Sequence, residues 1–250
     1  MKTLQLYEAL CSIIPGELSC AWDNDGLSVL PYKEHESNKL LVALDVRDEV
    51  IDYAEKHGFD TIITHHPLIF SKLGELNGST VPSEKALRLI RAGIAAASFH
   101  TRFDALDGGV SDILCGTLGL TPCAKFGEGG CARLCKTGGV SFDELAKKVK
   151  SVFGGAHFFA EKAPDSVSVA AVCGGSAGDF CGEALSLGAD VFICGEMRYH
   201  SAIDAADAGL GVICVGHYES EAPALTKLCE IVKETSGAEV EIYGVKQYVV

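Results

Sequence analysis

The chain of 250 residues has no apolar run near the ~18 residues that span a bilayer, no Cys-x-x-Cys pair and no low-complexity segment. It is also short of cations. Lys plus Arg is 21 against 34 Asp plus Glu, a formal charge of −13. Each lack excludes something. Without a long apolar run, and with Gln5 and Glu8 interrupting the N-terminal stretch, neither a membrane span nor a signal peptide is expected. The charge works against sequence-independent binding of DNA or RNA, which rests on cations set against phosphates. Eleven cysteines is an odd number, so neither a complete disulfide framework nor a zinc ribbon is indicated. Cys173, Cys194 and Cys214 lie in apolar runs and read as buried thiols, and a reducing cytoplasm suits them.

Hydrophobic content of 48% can fill a large core, and the length suits one large domain or two interlocked halves. Leu6, Leu10, Ile13 and Ile14 recur at helical spacing, so an amphipathic helix ending at Pro15-Gly16 is expected. Trp22-Asp23-Asn24-Asp25-Gly26 reads as a turn. Strands are expected at Lys39 to Asp45, Asp60 to Thr64 and Ile94 to Phe99, with helices at Asp48 to His57 and Ser83 to Arg91 between them. The same rhythm returns in strands at Val167 to Cys173, Val191 to Cys194 and Val212 to Val215, separated by helices at Asp179 to Leu187 and Ser201 to Ala208. Leu120 to Pro164 reads as a Gly-rich connection with one helix, Ser141 to Phe153. This β-α-β order implies α/β architecture with mostly parallel sheets flanked by helices.

The two stretches also match residue by residue. Gly58-Phe59-Asp60-Thr61-Ile62-Ile63-Thr64 aligns with Gly188-Ala189-Asp190-Val191-Phe192-Ile193-Cys194, and Ala92-Gly93-Ile94 with Ala208-Gly209-Leu210. Each later strand runs into His-x-x-x-acid, His100 to Asp104 and His217 to Glu221. Two related α/β halves are therefore expected, an internal pseudo-twofold repeat with boundaries at 1–125 and 126–250 and a metal site between them.

In parallel sheets, ligands gather beyond the carboxyl ends of the strands, and the polar clusters fall at those ends. Pro67 holds His66 extended, and neighbouring side chains of extended backbone diverge, so His65 and His66 suit two ions, or one ion and a substrate, better than one shared ion. His65, His66, Asp104, His217 and Glu221 together have the makeup of a dinuclear hydrolytic centre. Imidazole and carboxylate ligands accept Zn, Mn, Fe, Co or Ni alike. Two ions ~3.5–4 Å apart can lower the pKa of a bridging water. His100, His200 and Glu196 are candidates for proton transfer or for orienting a ligand.

Plainer readings exist for single pieces. Asp104 would cap the helix after Gly108-Gly109, and Glu221 would favour its own helix through the N-terminal dipole, with Ser220 as cap. Cys173-Gly174-Gly175-Ser176-Ala177-Gly178 would cradle an anion or form a tight turn. It matches neither Gly-x-Gly-x-x-Gly nor the Walker pattern, and nothing resembles a nucleophile elbow.

Trp22-Asp23-Asn24, the run Ile62 to Phe70, His100-Thr101-x-x-Asp104 with Gly108-Gly109, Cys173-Gly174-Gly175-Ser176, Gly195-Glu196-Met197-Arg198-Tyr199-His200 and Gly216-His217-Tyr218-x-x-Glu221 resemble the Nif-three-like dinuclear-metal proteins. These are also known as GTP cyclohydrolase I type 2 homologues. The resemblance runs over nearly the whole chain. It implies two divalent metal ions per subunit on His65, His66, Asp104, His217 and Glu221, and a toroidal, cytoplasmic homohexamer with metal sites facing an internal cavity. The expected function is a metal-dependent hydrolase of a nucleotide-like or small anionic substrate; the alternative is a non-catalytic metal-binding regulatory or interaction protein. Arg102-Phe103 stands where relatives usually carry Asn-Leu, and Ala177 interrupts a glycine run. Both departures are expected to alter the substrate pocket without touching ligands.

Overall fold

Apolar residues at helical spacing fold Thr3–Ile13 into α1, which buries Leu6 and Leu10 and stops short of Pro15. The protein, here a computed structural model describing residues 1–244, then alternates short strands and helices. They run β1 (Gly26–Val29), β2 (Lys39–Ala43), α2 (Asp48–His57), β3 (Thr61–Thr64), α3 (Val81–Ala92) and β4 (Ala95–Ser98). Leu40 to Ala43 and all of β3 and β4 are buried, the pattern of parallel strands covered on both faces. α2 has Asp48 and Glu49 in its first turn and Lys56 and His57 in its last, as the helix dipole favours. It ends on Gly58, whose φ of 71° is left-handed and suits glycine.

α4 (Thr101–Ala105) carries the chain into its middle portion. There follow α5 (Val110–Thr117), β5 (Thr121–Phe126), β6 (Ala132–Ser141), α6 (Phe142–Phe153), β7 (His157–Phe159) and β8 (Ser166–Ser176). Next come α7 (Cys181–Ser186), β9 (Val191–Glu196), α8 (Tyr199–Asp207), β10 (Gly211–Cys214) and α9 (His217–Glu221), before α10 (Leu225–Ser236) and β11 (Glu239–Ile242) close the described chain. α6 opens with a reciprocal capping box between Ser141 and Glu144.

The fold is mixed α/β with two sheets. The first unit is Met1–Phe103 with the chain from Leu225 onward; the second is Asp104–Ala224. In the first, the strand order is β1-β4-β3-β2-β11, with β11, β2, β3 and β4 parallel and β1 antiparallel at its edge. Leu41, Val50, Ile51, Ile62, Leu89 and Ala96 lie in its core. In the second, the order is β5-β6-β8-β9-β10-β7, with β8, β9 and β10 parallel. β5, β6 and β7 join antiparallel. Its core has two parts, one around Phe126, Phe192 and Leu210 and the other around Leu114, Val149, Ile193 and Ile213.

Two expectations need correction. The division is not 1–125 and 126–250, because α10 and β11 return to the first unit, where β11 pairs in register with β2. Leu120 to Pro164 is not mainly a connection: besides its helix it supplies β5, β6 and β7, half the strands of the second sheet. No helix among the described residues is long and apolar enough to cross a membrane.

Candidate metal centre

In the first unit, β3 and β4 end side by side, with Thr64 paired to Ser98. The residues that follow carry His65, His66 and His100. Each of these imidazoles offers a ligand nitrogen within 4.8 Å of the others. His65 and His100 ring centroids are 5.3 Å apart, and those of His66 and His100 5.4 Å.

Each ring is held through Nδ1. His65 Nδ1 donates to the Phe99 carbonyl at 3.0 Å, His66 Nδ1 to Asp45 Oδ1 at 2.8 Å and His100 Nδ1 to Asp23 Oδ1 at 3.0 Å. A carbonyl or a carboxylate can only accept, so Nδ1 carries the proton, and the neutral ring keeps its lone pair on Nε2. This is the arrangement that outer partners impose on metal-binding histidines. Burial would raise the Asp23 carboxyl, but hydrogen bonds from His100 and Thr101 outweigh it and hold the group well below the usual carboxylate range. It is therefore ionised and competent to accept.

In the second unit, β9 ends in Glu196, and β10 leads through Val215-Gly216 into α9. His217 Nδ1 donates to Glu196 Oε1 at 3.1 Å, and its Nε2 lies 3.2 Å from Glu221 Oε2 one helical turn on. The Glu221 side chain is only 4% exposed. An Nε2 lone pair facing a buried carboxylate needs a proton or a cation between them. Gly175, at φ 61°, makes room for this pair, since a Cβ there would come within 2.3 Å of Glu221 Oε1. Asp104, in α4, is close enough to β8 to affect Cys173. That thiol is pushed well up, first by its hydrogen bond with Cys131 and by burial, with the Asp104 carboxylate adding to both.

The donor chemistry thus fits a divalent metal: Nε2-presenting imidazoles with oriented Nδ1 partners at His65, His66 and His100, and an imidazole beside a buried carboxylate at His217 and Glu221. α9 begins at His217 behind Gly216, so Ser220 is inside it and Glu221 is its last residue, directly ahead of the helical run through Pro223 into α10. Asp112, not Asp104, accepts from Gly108 N–H ahead of α5. The glycine run is no open anion cradle either. Most of it belongs to β8, and the N–H groups of Gly174, Gly175 and Ala177 donate to Ser111 Oγ, Ser220 Oγ and the Glu196 carbonyl.

Arg102 and Phe103 are both buried. Phe103 is 1% exposed, and Arg102 makes a buried two-pronged pair with Asp25, Nε to Oδ2 at 2.7 Å and Nη2 to Oδ1 at 2.6 Å. His200 sits exposed in the first turn of α8. Sequence reasoning missed the orienting carboxylates Asp23 and Asp45. Their signal was position: Asp45 lies two residues beyond the end of a strand, and Asp23 lies in a turn dense in acids.

A two-unit α/β protein with oriented imidazoles beyond its strand ends defines the class. The profile of the Duf34/NIF3 (NGG1p interacting factor 3) family matches residues 1–248, and the chain belongs to that family. It is 33% identical over 255 residues to a GTP cyclohydrolase 1 type 2 homolog of Clostridium perfringens, covering 99% of this chain and 97% of that one. A homolog of the same name from Streptococcus pneumoniae is 34% identical over 226 residues, covering 87% and 84%. Among solved structures, reduced HcgD from Methanocaldococcus jannaschii superposes with a TM-score of 0.83 at 29% identity, covering 97% of each chain. Staphylococcus aureus protein SA1388 does so with 0.85 at 24% identity over 100% and 99%, a likeness of fold.

Proposed function

We propose that this protein is a dinuclear metal-dependent hydrolase of a nucleotide-like or small anionic substrate, in which His65, His66, Asp104, His217 and Glu221 hold two divalent ions. The observation that carries this reading is shared by four imidazoles: His65, His66, His100 and His217 each donate Nδ1–H to a fixed acceptor. Such preorganisation costs conformational freedom and is what metal-binding imidazoles require of their outer partners. The names of the curated relatives support a cyclohydrolase-like reaction.

When bound, the ions would supply Lewis acidity and an acidified water. The chain's own residues would do the rest. Asp45 and Asp23 fix the planes of His66 and His100, and Glu196 fixes His217. The proton-transfer groups of this reading are His100, Glu196 and His200.

The reading extends to a toroidal homohexamer in the cytoplasm. All eleven cysteines are free thiols, which supports a reducing compartment.

The test is metal analysis of protein purified without chelators, followed by incubation with nucleotides, cyclic esters and peptides. Two ions per chain are expected, with turnover abolished by His65→Ala. Two ions with no turnover on any substrate favour the non-catalytic regulatory reading, and protein without stoichiometric metal refutes both. Light scattering checks the assembly, for which about six times the 26.3 kDa chain mass is expected.

A further inference from the structure

Two large aromatic side chains stand exposed beside the imidazoles of the first unit. Trp22, the single tryptophan of the chain, is 54% exposed and Phe70 is 58% exposed. Their ring centroids are 6.0 Å apart, and each also meets His100 edge-on, Trp22 at 6.1 Å and Phe70 at 6.0 Å. The result is a continuous aromatic wall that starts at the imidazole cluster and faces solvent.

The wall is held rigidly. Asp23, next to Trp22, has a side chain with no exposed surface, and it accepts from His100 Nδ1, Thr101 N–H and Thr101 Oγ1. Cys20 N–H donates to Thr101 Oγ1 at 2.9 Å. Asn24 Nδ2 donates to the carbonyl of Ile69, the residue before Phe70, at 2.6 Å. The loops bearing Trp22 and Phe70 are therefore tied to each other and to the histidine segment. Fixed exposed aromatics beside converging polar groups are the composition of a small-molecule site. Little ordering remains to oppose binding.

We propose that Trp22 and Phe70 are a stacking platform for a planar heteroaromatic ring, such as a nucleobase, belonging to the ligand whose polar end meets the imidazoles. This deepens the hydrolase reading and rests on it for the identity of that polar end. Stacking tolerates any base because every base has a π-face. It also needs no cation, which matters in a chain of charge −13 that repels anions at long range. At 6.0 Å the two rings already touch, so no third ring fits between them. The ligand ring lies on the outer faces, one ring per site, and the larger indole provides most of the contact.

The test uses the metal-replete full chain and the fluorescence of Trp22. Purine and pyrimidine nucleosides, their monophosphates and a pterin are titrated, with ribose 5-phosphate as the control without a ring. Saturable quenching is expected from at least one ring compound and none from the control. Calorimetry of the responding compound should show binding weakened roughly 10- to 100-fold by Trp22→Leu. Phe70→Leu should weaken it less, and Trp22→Phe should retain most of it. Silence from every ring compound, or a Trp22→Leu variant that binds unchanged, overturns the platform. Metal content measured on the same samples keeps the two readings apart: metal without ring binding sinks only the platform, and ring binding without metal sinks only the metal centre.

Discussion

The two units follow the same path, β2-α2-β3-α3-β4 in the first and β8-α7-β9-α8-β10 in the second, and the likeness extends to single hydrogen bonds. Asp60 Oδ2 accepts from Asn38 and Lys39 N–H, and Asp190 Oδ2 from Ser168 and Val169 N–H, each just ahead of the residues where the preceding strand pairs in parallel. Ala95 N–H donates to the Asp60 carbonyl as Gly211 N–H does to that of Asp190. After the third strand they diverge. In the first unit the emerging histidine, His100, is gripped by the Cys20 to Asp25 loop, with Asp23 on Nδ1 and Asp25 on its backbone N–H. In the second, His217 is oriented by Glu196 from the end of the neighbouring strand, a side chain 58% exposed. The shared scaffold fixes where an imidazole leaves the sheet; whatever carboxylate is locally at hand fixes how it is turned.

The largest expected effect tests whether the first unit is the more rigidly buried. Asp25→Ala leaves Arg102 as an uncompensated buried charge and should cost about 3–5 kcal/mol in urea unfolding. The counterpart in the second unit, Arg133 with Asp112, is more forgiving. Asp112 is 20% exposed, and Arg133 also donates to the carbonyls of Gly130, Ala132 and Leu106. Asp112→Ala should therefore cost measurably less, and equal losses would erase the contrast. Next comes the orientation of the imidazoles. Asp45→Ala, which frees the ligand His66, should lower metal affinity about 10- to 100-fold in chelator competition, and Glu196→Ala, which frees His217, should do so by less because its carboxylate is more exposed.

Asp60→Ala and Asp190→Ala probe the part that is alike. Each should cost about 1–2 kcal/mol, and the double variant their sum to within about 0.5 kcal/mol, since they share no partner. Unequal costs would show the likeness to be one of shape alone. The smallest effect appears only in acid. Because the folded Asp23 carboxyl is held below its unfolded value of about 3.9, it stabilises the fold above that pH, and this contribution is lost as pH falls through the folded value. Asp23→Asn should flatten the acid side of the stability profile below about pH 4, and a limb that keeps its original slope would overturn that role.

The repeated βαβαβ portion was legible because helix-stopping glycines and continuous apolar strands punctuate it. Gly58, Gly93, Gly188 and Gly209 all take positive φ at helix ends. The edge strands were not legible. β5 exposes Thr121 and Cys123 to Lys125 without alternation, and β6 runs through Gly138-Gly139, so both read as loop. β11 does alternate, as Glu239-Val240-Glu241-Ile242, but four residues are too short a signal to place it in a sheet begun two hundred residues earlier. Of the site, the imidazoles were visible as motifs. Their orienting partners were not, since His100 and Asp23 are joined across 77 residues of sequence.

The return of α10 and β11 also sets the order of events during synthesis. The first 103 residues leave the ribosome before the strand that will cover the β2 edge exists, whereas Asp104–Ala224 emerges as one uninterrupted stretch. At translation rates of about 5–20 residues per second, that edge stays open for on the order of ten seconds. The inserted unit is thus expected to mature while its host waits, and the nascent chain's greatest exposure to aggregation or chaperone capture falls on β2. Ribosome-stalled chains halted before Leu225 should be protease-sensitive around Lys39 to Ala43 and become resistant there once β11 has emerged.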